Sequence, residues 1–522
     1  MKKRILWVDD EISAFSAHMR YLEKEGYSVT TETNGDDAID TFTHQAVDLV
    51  LLDQNMPGMS GLDTLAEIKR LKPNVPVVMV TKNEDQDTIK SAFGKLADGF
   101  IVKPCNIPQL SATVIMALEK KSIVEQAIVD AFNGQYALLS QEPGFCSTFD
   151  DWKNLYAKII EWELKLPADR VDMVLTIKSE ANVLFGKFVK NNYLSWIGPD
   201  RAANAPHTSD RLLSDVVKPC LIKGEKVALV VIDNFRYDQW EAIRPDIEPD
   251  FDIKTDAYCS ILPTLTVYSR NSIFSGLLPA DIKRLCPQYW SDQAPEGRNM
   301  NDYERELLDD YFTRQRLNRT HSYYKVLTNE SAENYIKGFA GSKGHAGYKS
   351  NDLNALVFNF ADALSHLLTA NQTVKDLAPD DAAYRNLTRL WFVDGVMRKV
   401  LLLLRDNGYK IILTTDHGTL RVKRPVDMAG PNLNSNPRFK VGTMLKYKER
   451  DVFALRGKEV QKAGLPAKSM IDEYAFATDD GFFVYNNSKR NEVVDEIGGS
   501  LQHGGISMEE MILPLVTLTK KD

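Results

Sequence analysis

An α/β chain, with two sheet-bearing units joined by a helical connector, is what this sequence predicts. Three observations carry the prediction. Over the first 120 residues, short apolar runs alternate with amphipathic segments. From 121 to about 215, glycine and proline become sparse and apolar residues recur at helical spacing. From 216 onward, continuous apolar runs again end in aspartate. A chain of 522 residues has room for roughly two to four domains, each with its own core.

The bulk numbers narrow the function classes. Hydrophobic residues make up 43% and charged residues 26%, as in an ordinary soluble protein. The net charge of −8 gives no general attraction to nucleic acid or anionic membrane. Any nucleotide site is therefore expected to be local and built around metal ions. The apolar run from Ile5 to Val8 ends at two aspartates and is too short for a signal peptide. No later segment reads as a membrane span. The five cysteines form no CxxC pair, which points to a reducing cytoplasm without a disulfide framework.

In the first unit, strands are expected at Ile5–Asp9, Ser28–Thr31, Leu49–Asp53, Val77–Thr81 and Gly99–Lys103. Five β-α repeats at this spacing make a doubly wound parallel sheet, and such sheets bind ligands at the carboxyl ends of their strands. Those ends carry Asp9, Asp10, Asp53, Thr81 and Lys103. Three converging carboxylates call for a hard divalent cation, and a hydroxyl with an ammonium suits a phosphoryl group. The stretches "WVDDE", "LLDQNMPGMSG", "VMVTK" and "FIVKP" resemble the receiver domain of two-component response regulators, over about residues 3–120. The resemblance implies that Asp53 accepts a phosphoryl group from a sensor histidine kinase. It also implies Mg²⁺ bound by Asp10, Asp53 and the Asn55 backbone carbonyl, with Asp9 in support. Thr81 and Lys103 would contact the phosphoryl oxygens, and Phe100 would be the switch aromatic. Phosphorylation would shift a population toward a state that moves the face of the fourth and fifth segments, which then pairs with a second copy or releases the connector.

In the connector, 121–215, "FDDWKNLYAKIIEWELKL" sets Trp152, Leu155, Ile159 and Trp162 on one helical face, with Asp150 as its expected N-cap. A second stripe runs through Val174, Ile177, Ala181, Leu184 and Phe188. The stretch 198–207 reads as a loop.

The region 216–522 opens with "EKVALVVIDNFRYDQW", an apolar strand of the parallel, doubly buried kind that ends at Asp233. "SILPTLTVYSR" follows with Thr264, Thr266 and Arg270. "NALVFNFADALSHLLT" is a strand and then Asp362 and His366, four apart and so on one helical face. "KIILTTDHGTL" is a strand ending in Asp416 and His417, and "SLQHGGISMEEMILPLV" holds His503. Taken singly, each fragment also fits an exposed helical pair, a cap or a loop histidine. Together they are three aspartates and three histidines, a set that favours Zn²⁺ or Mn²⁺ over Ca²⁺ or Mg²⁺ and suffices for two three-ligand sites.

The order "VVIDNFRYDQW … LPTLTVYSR … NFADALSH … TTDHG … QHGG" resembles the alkaline phosphatase superfamily in its PglZ branch, over about residues 225–519, and the whole chain resembles PorX-type response regulators. The resemblance implies one Zn²⁺ on Asp362, His366 and His503. It implies a second on Asp233, Asp416 and His417, with Thr266 as nucleophile and Thr264 as its competitor. Arg270 would bind a non-bridging phosphate oxygen, and two metals about 4 Å apart would hold an in-line displacement. Residues 280–349 would be a cap, with Lys343, His345 and Lys349 guiding an anionic substrate. The expected activity is a zinc-dependent phosphodiesterase acting on nucleotides or short oligonucleotides, in the regulation of type IX secretion. The rival is a metal-loaded adaptor binding a sigma factor or secretion component. No basic recognition helix for sequence-specific DNA binding is present.

Overall fold

In the computed structural model, which describes residues 2–72, 75–82, 97–290, 301–342, 345–370, 378–431, 434, 436–467, 469, 471–485 and 490–521, the chain divides into two units, Met1–Gly134 and Gln135–Asp522. Among the described residues of the first, five parallel strands stand in the order β2-β1-β3-β4-β5. They are β1 (Arg4–Val8), β2 (Ser28–Glu32), β3 (Leu49–Asp53), β4 (Val77–Thr81) and β5 (Gly99–Val102). Strand alternation sends Leu6, Val8, Val50, Leu52, Val77 and Met79 to one face, against Ala38, Phe42, Leu65 and Ile68 of helices α2 (Gly35–His44) and α3 (Gly61–Leu71). Ile5, Trp7, Leu49, Leu51, Val78, Val80 and Ile101 point the other way. They meet Leu22 of α1 (Ser16–Lys24) and Leu110 and Val114 of α4 (Ile107–Gln141). Strands covered on both faces need apolar residues at nearly every position, which is why these runs are continuous rather than alternating. The receiver's fourth segment, 83–96, lies outside the described residues.

The second unit begins its chain with two helices, α5 (Phe149–Lys165) and α6 (Asp172–Trp196). Trp152, Leu155 and Ile159 are buried as their spacing predicts. The α5 N-cap is Thr148 rather than Asp150. Thr148 and Asp151 form a reciprocal capping box, and a hydroxyl residue three before an acid satisfies two orphan N–H groups at once. On α6 the buried stripe runs Val174, Ile177, Ala181, Phe185, Val189, Tyr193. Leu184 and Phe188 flank it, because a 3.6-residue period drifts off the i+3 choices made from sequence.

The main sheet has order β7-β11-β10-β6-β9-β8. Its strands are β6 (Val227–Ile232), β7 (Phe251–Cys259), β8 (His321–Val326), β9 (Leu353–Phe358), β10 (Lys410–Thr414) and β11 (Ile512–Lys520). Strands β8, β9, β6 and β10 are mutually parallel. Strand β11 runs antiparallel to both β10 and β7. Both faces are dry: Val230, Ile232, Leu356 and Leu413 pack one way, and Val227, Leu229, Val357 and Ile412 the other. Each such side chain contributes about 1.5–3 kcal/mol on burial.

The segment 280–349, expected as a cap, supplies β8 at the sheet edge. It also supplies helix α9 (Glu304–Arg314), whose Leu307, Leu308, Tyr311 and Phe312 fill the second core. Among the described residues, no helix is long and apolar enough to cross a membrane.

Candidate functional site

The topology decides which chain ends meet. Val8 lies beside Leu52, so Asp9 and Asp53 leave neighbouring strands together. Asp9, Asp10 and Asp53 offer ligand atoms within 4.8 Å of one another. Lys103 Nζ is 2.8 Å from Asp9 Oδ2 and 2.8 Å from Asp53 Oδ2. Burial raises the Asp53 carboxyl above its ordinary value, although Lys103 opposes the rise. Thr81 Oγ1 donates to Gln54 Oε1 at 2.6 Å, Phe100 packs against the α2–α3 core, and Asn55 is exposed on the loop after β3. A Cβ on Gly61 would sit 2.1 Å from the Asp53 carbonyl oxygen, so only glycine lets α3 start so close to the end of β3.

In the second unit, β6 delivers Asp233, β10 delivers Asp416 and His417, and β9 leads into α10 (Phe360–Ala370) with Asp362 in its first turn. These strands are adjacent and in register at their carboxyl ends. The antiparallel β11 starts at that end and β7 finishes there, Ile512 lying opposite Cys259. The segments before β11 and after β7 therefore bring His503 and Thr266 to the same edge. Two clusters form: Asp362, His366 and His503, and Asp233, Asp416 and His417, each with ligand atoms within 4.8 Å. Their histidine rings touch, His417 and His503 stacking at 4.2 Å.

The details suit cations. His503 Nδ1 lies 3.2 Å from the Thr264 carbonyl and His417 Nδ1 lies 3.3 Å from the Gly418 carbonyl. A proton on each Nδ1 leaves both Nε2 lone pairs free, the usual preparation of a metal-ligating histidine. Asp416 Oδ2 is buried without a hydrogen-bond partner. Burial and the charge of Asp233 push the Asp416 carboxyl well above its usual range. The same causes raise Asp362 to about 6. Burial lowers His417 and lowers His503 much further. Asp233 alone stays below its ordinary value, because Arg270 and His417 outweigh its burial. Such a site lacks positive charge, and nitrogen with carboxylate oxygen is a zinc-type donor set.

Helix α7 (Tyr237–Ile247) follows β6, and Thr266 opens helix α8 (Thr266–Ser275). Its Oγ1 is 3.0 Å from His417 Nε2 and 3.4 Å from Asp233 Oδ1. Thr264 is fully buried; its hydroxyl donates to the Gly505 carbonyl and accepts from the Gly504 N–H, each at 3.0 Å. It ties the two loops together and is not presented to the clusters.

Two expectations are corrected. Arg270 is fully buried and is not placed to meet substrate. Its Nη1 donates to Asp233 Oδ2 and its Nε to Glu304 Oε1, both at 2.5 Å. Lys349 sits at the opposite end of the sheet. Its carbonyl accepts from Lys226 and Tyr409, which precede β6 and β10, about 20 Å of strand away from Asp233. Lys343 and the side chain of His345 lie outside the described residues.

Three further residues went unread in the sequence. Asn234, at φ 59°, bridges the clusters: its N–H donates to Asp416 Oδ1 at 3.2 Å and its Nδ2 approaches Asp362 Oδ1 at 3.4 Å. An asparagine directly after a buried strand is a readable left-handed turn signal. Glu510 accepts from Gly505 N–H and pairs with Arg438; "SMEE" is a capping pattern that could have flagged it. Glu304 carries no local signal.

A five-stranded parallel sheet with a three-aspartate cluster, followed by an α/β unit with paired Asp/His clusters, is the arrangement expected of a response regulator with an alkaline phosphatase-like output domain. Comparison with known families agrees. The family described as the BREX system PglZ alkaline phosphatase-like domain matches residues 212–518. The response regulator receiver domain matches 5–115, and the PorX response regulator linker domain matches 122–197. The chain belongs to the PglZ family, in the arrangement of a PorX-type response regulator.

Among curated relatives, the luminescence regulatory protein LuxO of Vibrio campbellii is 29% identical over 152 residues, 29% of this chain and 32% of LuxO. The transcriptional regulatory protein ZraR of Klebsiella oxytoca is 32% identical over 139 residues, 27% of this chain and 31% of ZraR. The chain thus spans about a third of the length of these relatives. Among solved structures, response regulator TrrA of Thermotoga maritima, in complex with Mg(2+)-BeF, is 36% identical over 22% of this chain and 99% of its own, with TM-score 0.20. A CheY-like receiver from Methanospirillum hungatei JF-1 is 27% identical over 23% and 98%, with TM-score 0.23. The receiver assignment rests on the family match and the strand order. A receiver implies a phosphodonor such as a histidine kinase.

Proposed function

We propose that the second unit is a zinc-dependent phosphodiesterase acting on nucleotides or short oligonucleotides, governed by phosphorylation of Asp53. The observation that carries it is the position of Thr266, a hydroxyl at a helix N-terminus within hydrogen-bond reach of His417 and Asp233. Asp233, Asp416 and His417 would hold one Zn²⁺, and Asp362, His366 and His503 the other. When bound, the metals supply Lewis acidity that stabilises a threonine alkoxide and a leaving oxygen. Thr266 Oγ1 attacks phosphorus in line, the phosphorus–oxygen bond to the leaving alcohol breaks, and a phospho-threonine forms; water then cleaves it. The first N–H groups of α8 and its positive dipole end favour the phosphoryl anion. Asn234 holds carboxylates of both clusters at fixed positions. Arg270, locked between Asp233 and Glu304, offsets carboxylate charge rather than touching substrate. A diester fits because no additional cation is aimed at a second phosphate charge among the described residues.

In the receiver, Asp10, Asp53 and the Asn55 carbonyl would hold Mg²⁺, with Asp9 in support. Thr81, Phe100 and Lys103 would read the phosphoryl group and favour a homodimer. The context is a cytoplasmic regulator of type IX secretion. The test is metal analysis of the purified protein together with turnover of bis(p-nitrophenyl) phosphate and a panel of nucleotide diesters. Thr266→Val is expected to keep its zinc and lose at least about a thousandfold in turnover. A variant that turns over normally overturns the assignment. One that loses turnover yet still regulates transfers the output to protein binding.

A further inference from the structure

We infer that connector helix α6 is part of the machinery that sets the active-site geometry, through Tyr193, Asn182 and Lys178 as positioning residues. The inference rests on the proposed two-cluster site and assigns it a control point outside the ligands. The side-chain hydroxyl of Tyr193, fully buried, accepts the Leu262 N–H at 2.8 Å. Leu262 lies four residues before Thr266, in the short loop between β7 and α8. One helical stretch earlier, Asn182 grips the other loop: its Oδ1 accepts the Met508 N–H at 2.8 Å and its Nδ2 donates to Glu509 Oε2 at 2.9 Å. Lys178 Nζ lies 3.2 Å from Glu509 Oε1 and 3.1 Å from Glu163 Oε2 on α5.

From there the connection to the clusters is continuous. Ser507 caps Glu510, Glu510 Oε1 accepts the Gly505 N–H at 2.9 Å, and Gly504 and Gly505 are bound to the Thr264 hydroxyl. Gly418, in the His417 turn, packs so tightly on this segment that a Cβ would sit 2.0 Å from the Glu509 carbonyl. A single rigid helix therefore holds both loops that bring the nucleophile and His503 to the sheet edge. All three side chains are at most 6% exposed, so these hydrogen bonds face little competition from water. A shift of α6 along its axis would move the Thr266 loop and the His503 loop together. This makes the connector, and not only the output domain, a determinant of catalytic competence.

The experiment uses the full-length protein with Tyr193→Phe and Asn182→Ala. Val174→Ala is the control, a buried position of the same helix. Three quantities are read: Tm, zinc affinity by competition with a chromophoric chelator, and kcat and KM for bis(p-nitrophenyl) phosphate. Tyr193→Phe is expected to lower kcat about tenfold with KM and zinc affinity near wild type. Asn182→Ala is expected to weaken the binding of one zinc about tenfold, with Asn182→Gln partly restoring it. Val174→Ala should lower Tm without either change. The inference is overturned if Val174→Ala reproduces these effects at equal loss of Tm, or if both loop-gripping variants keep wild-type kcat and zinc affinity. If wild type itself binds zinc without turning over the diester, the phosphodiesterase reading fails while the zinc arm still decides the role of Asn182.

Discussion

At the scale of single residues, the clearest physical fact is that Arg270 is buried among carboxylates. Its partners Asp233 and Glu304 are at most 2% exposed. Arg270→Met would leave both buried carboxylates without their arginine, which costs about 3–5 kcal/mol; urea denaturation reads this as a lower midpoint. Lys440 is the opposite case. It is 3% exposed, and burial lowers its ammonium to about 8. Between about pH 8 and 10 the unfolded chain binds a proton at this position that the folded chain does not, so stability rises with pH across that window and the full penalty applies below it. Lys440→Met should therefore raise stability at pH 7 by about 1–2 kcal/mol and flatten the pH dependence of unfolding above pH 8. Residues such as Asp233 and His417 were legible from sequence because each ends an apolar run. Arg270 was legible as a candidate but not in its role, since its partner Glu304 lies 34 positions on and its burial depends on a helix with no motif.

At the scale of elements, the strands of both sheets read well because burial on two faces leaves an uninterrupted apolar signature. The expected strands from Leu49 and from Val77 coincide with β3 and β4. Helix ends read less well. The α5 cap falls on Thr148, not Asp150, because the competing signals are only two residues apart and the reciprocal bond with Asp151 decides between them. Thr148→Ala should cost about 1 kcal/mol, visible as a Tm decrease of the second unit's unfolding transition. The buried stripe on α6 runs through Phe185 and Val189 as the 3.6-residue period requires, and the same face also presents Asn182 and Tyr193 to the loops. Polar residues inside an apolar stripe are the mark of such a double duty, and periodicity alone does not expose it. The strand within the segment 280–349 was not legible, because β8, with its His, Ser and two Tyr residues, lacks the apolar run of an inner strand. It is an edge strand, paired only to β9 among the described residues.

At the scale of the whole molecule, three family matches in series give a receiver, a linker and a PglZ domain on one chain. The proposed coupling predicts that Mg²⁺ with a beryllofluoride phosphoryl mimic at Asp53 shifts the protein from monomer to dimer mass in light scattering and changes diester turnover. Unchanged mass together with unchanged rate overturns that scheme.

The fold class and the order of the parts were legible in the sequence because strand burial leaves local marks, and the six Asp and His residues of the clusters became legible through their order along the chain and the family resemblance it carries. Three-dimensional packing adds that the two groups implied by the resemblance gather at one sheet edge, that Thr266 rather than Thr264 faces them, that Arg270 is buried between Asp233 and Glu304, and that the connector helix holds the two loops. Those outcomes depend on which strand ends become neighbours. Sheet order is set by packing between segments hundreds of residues apart, and no local pattern encodes it.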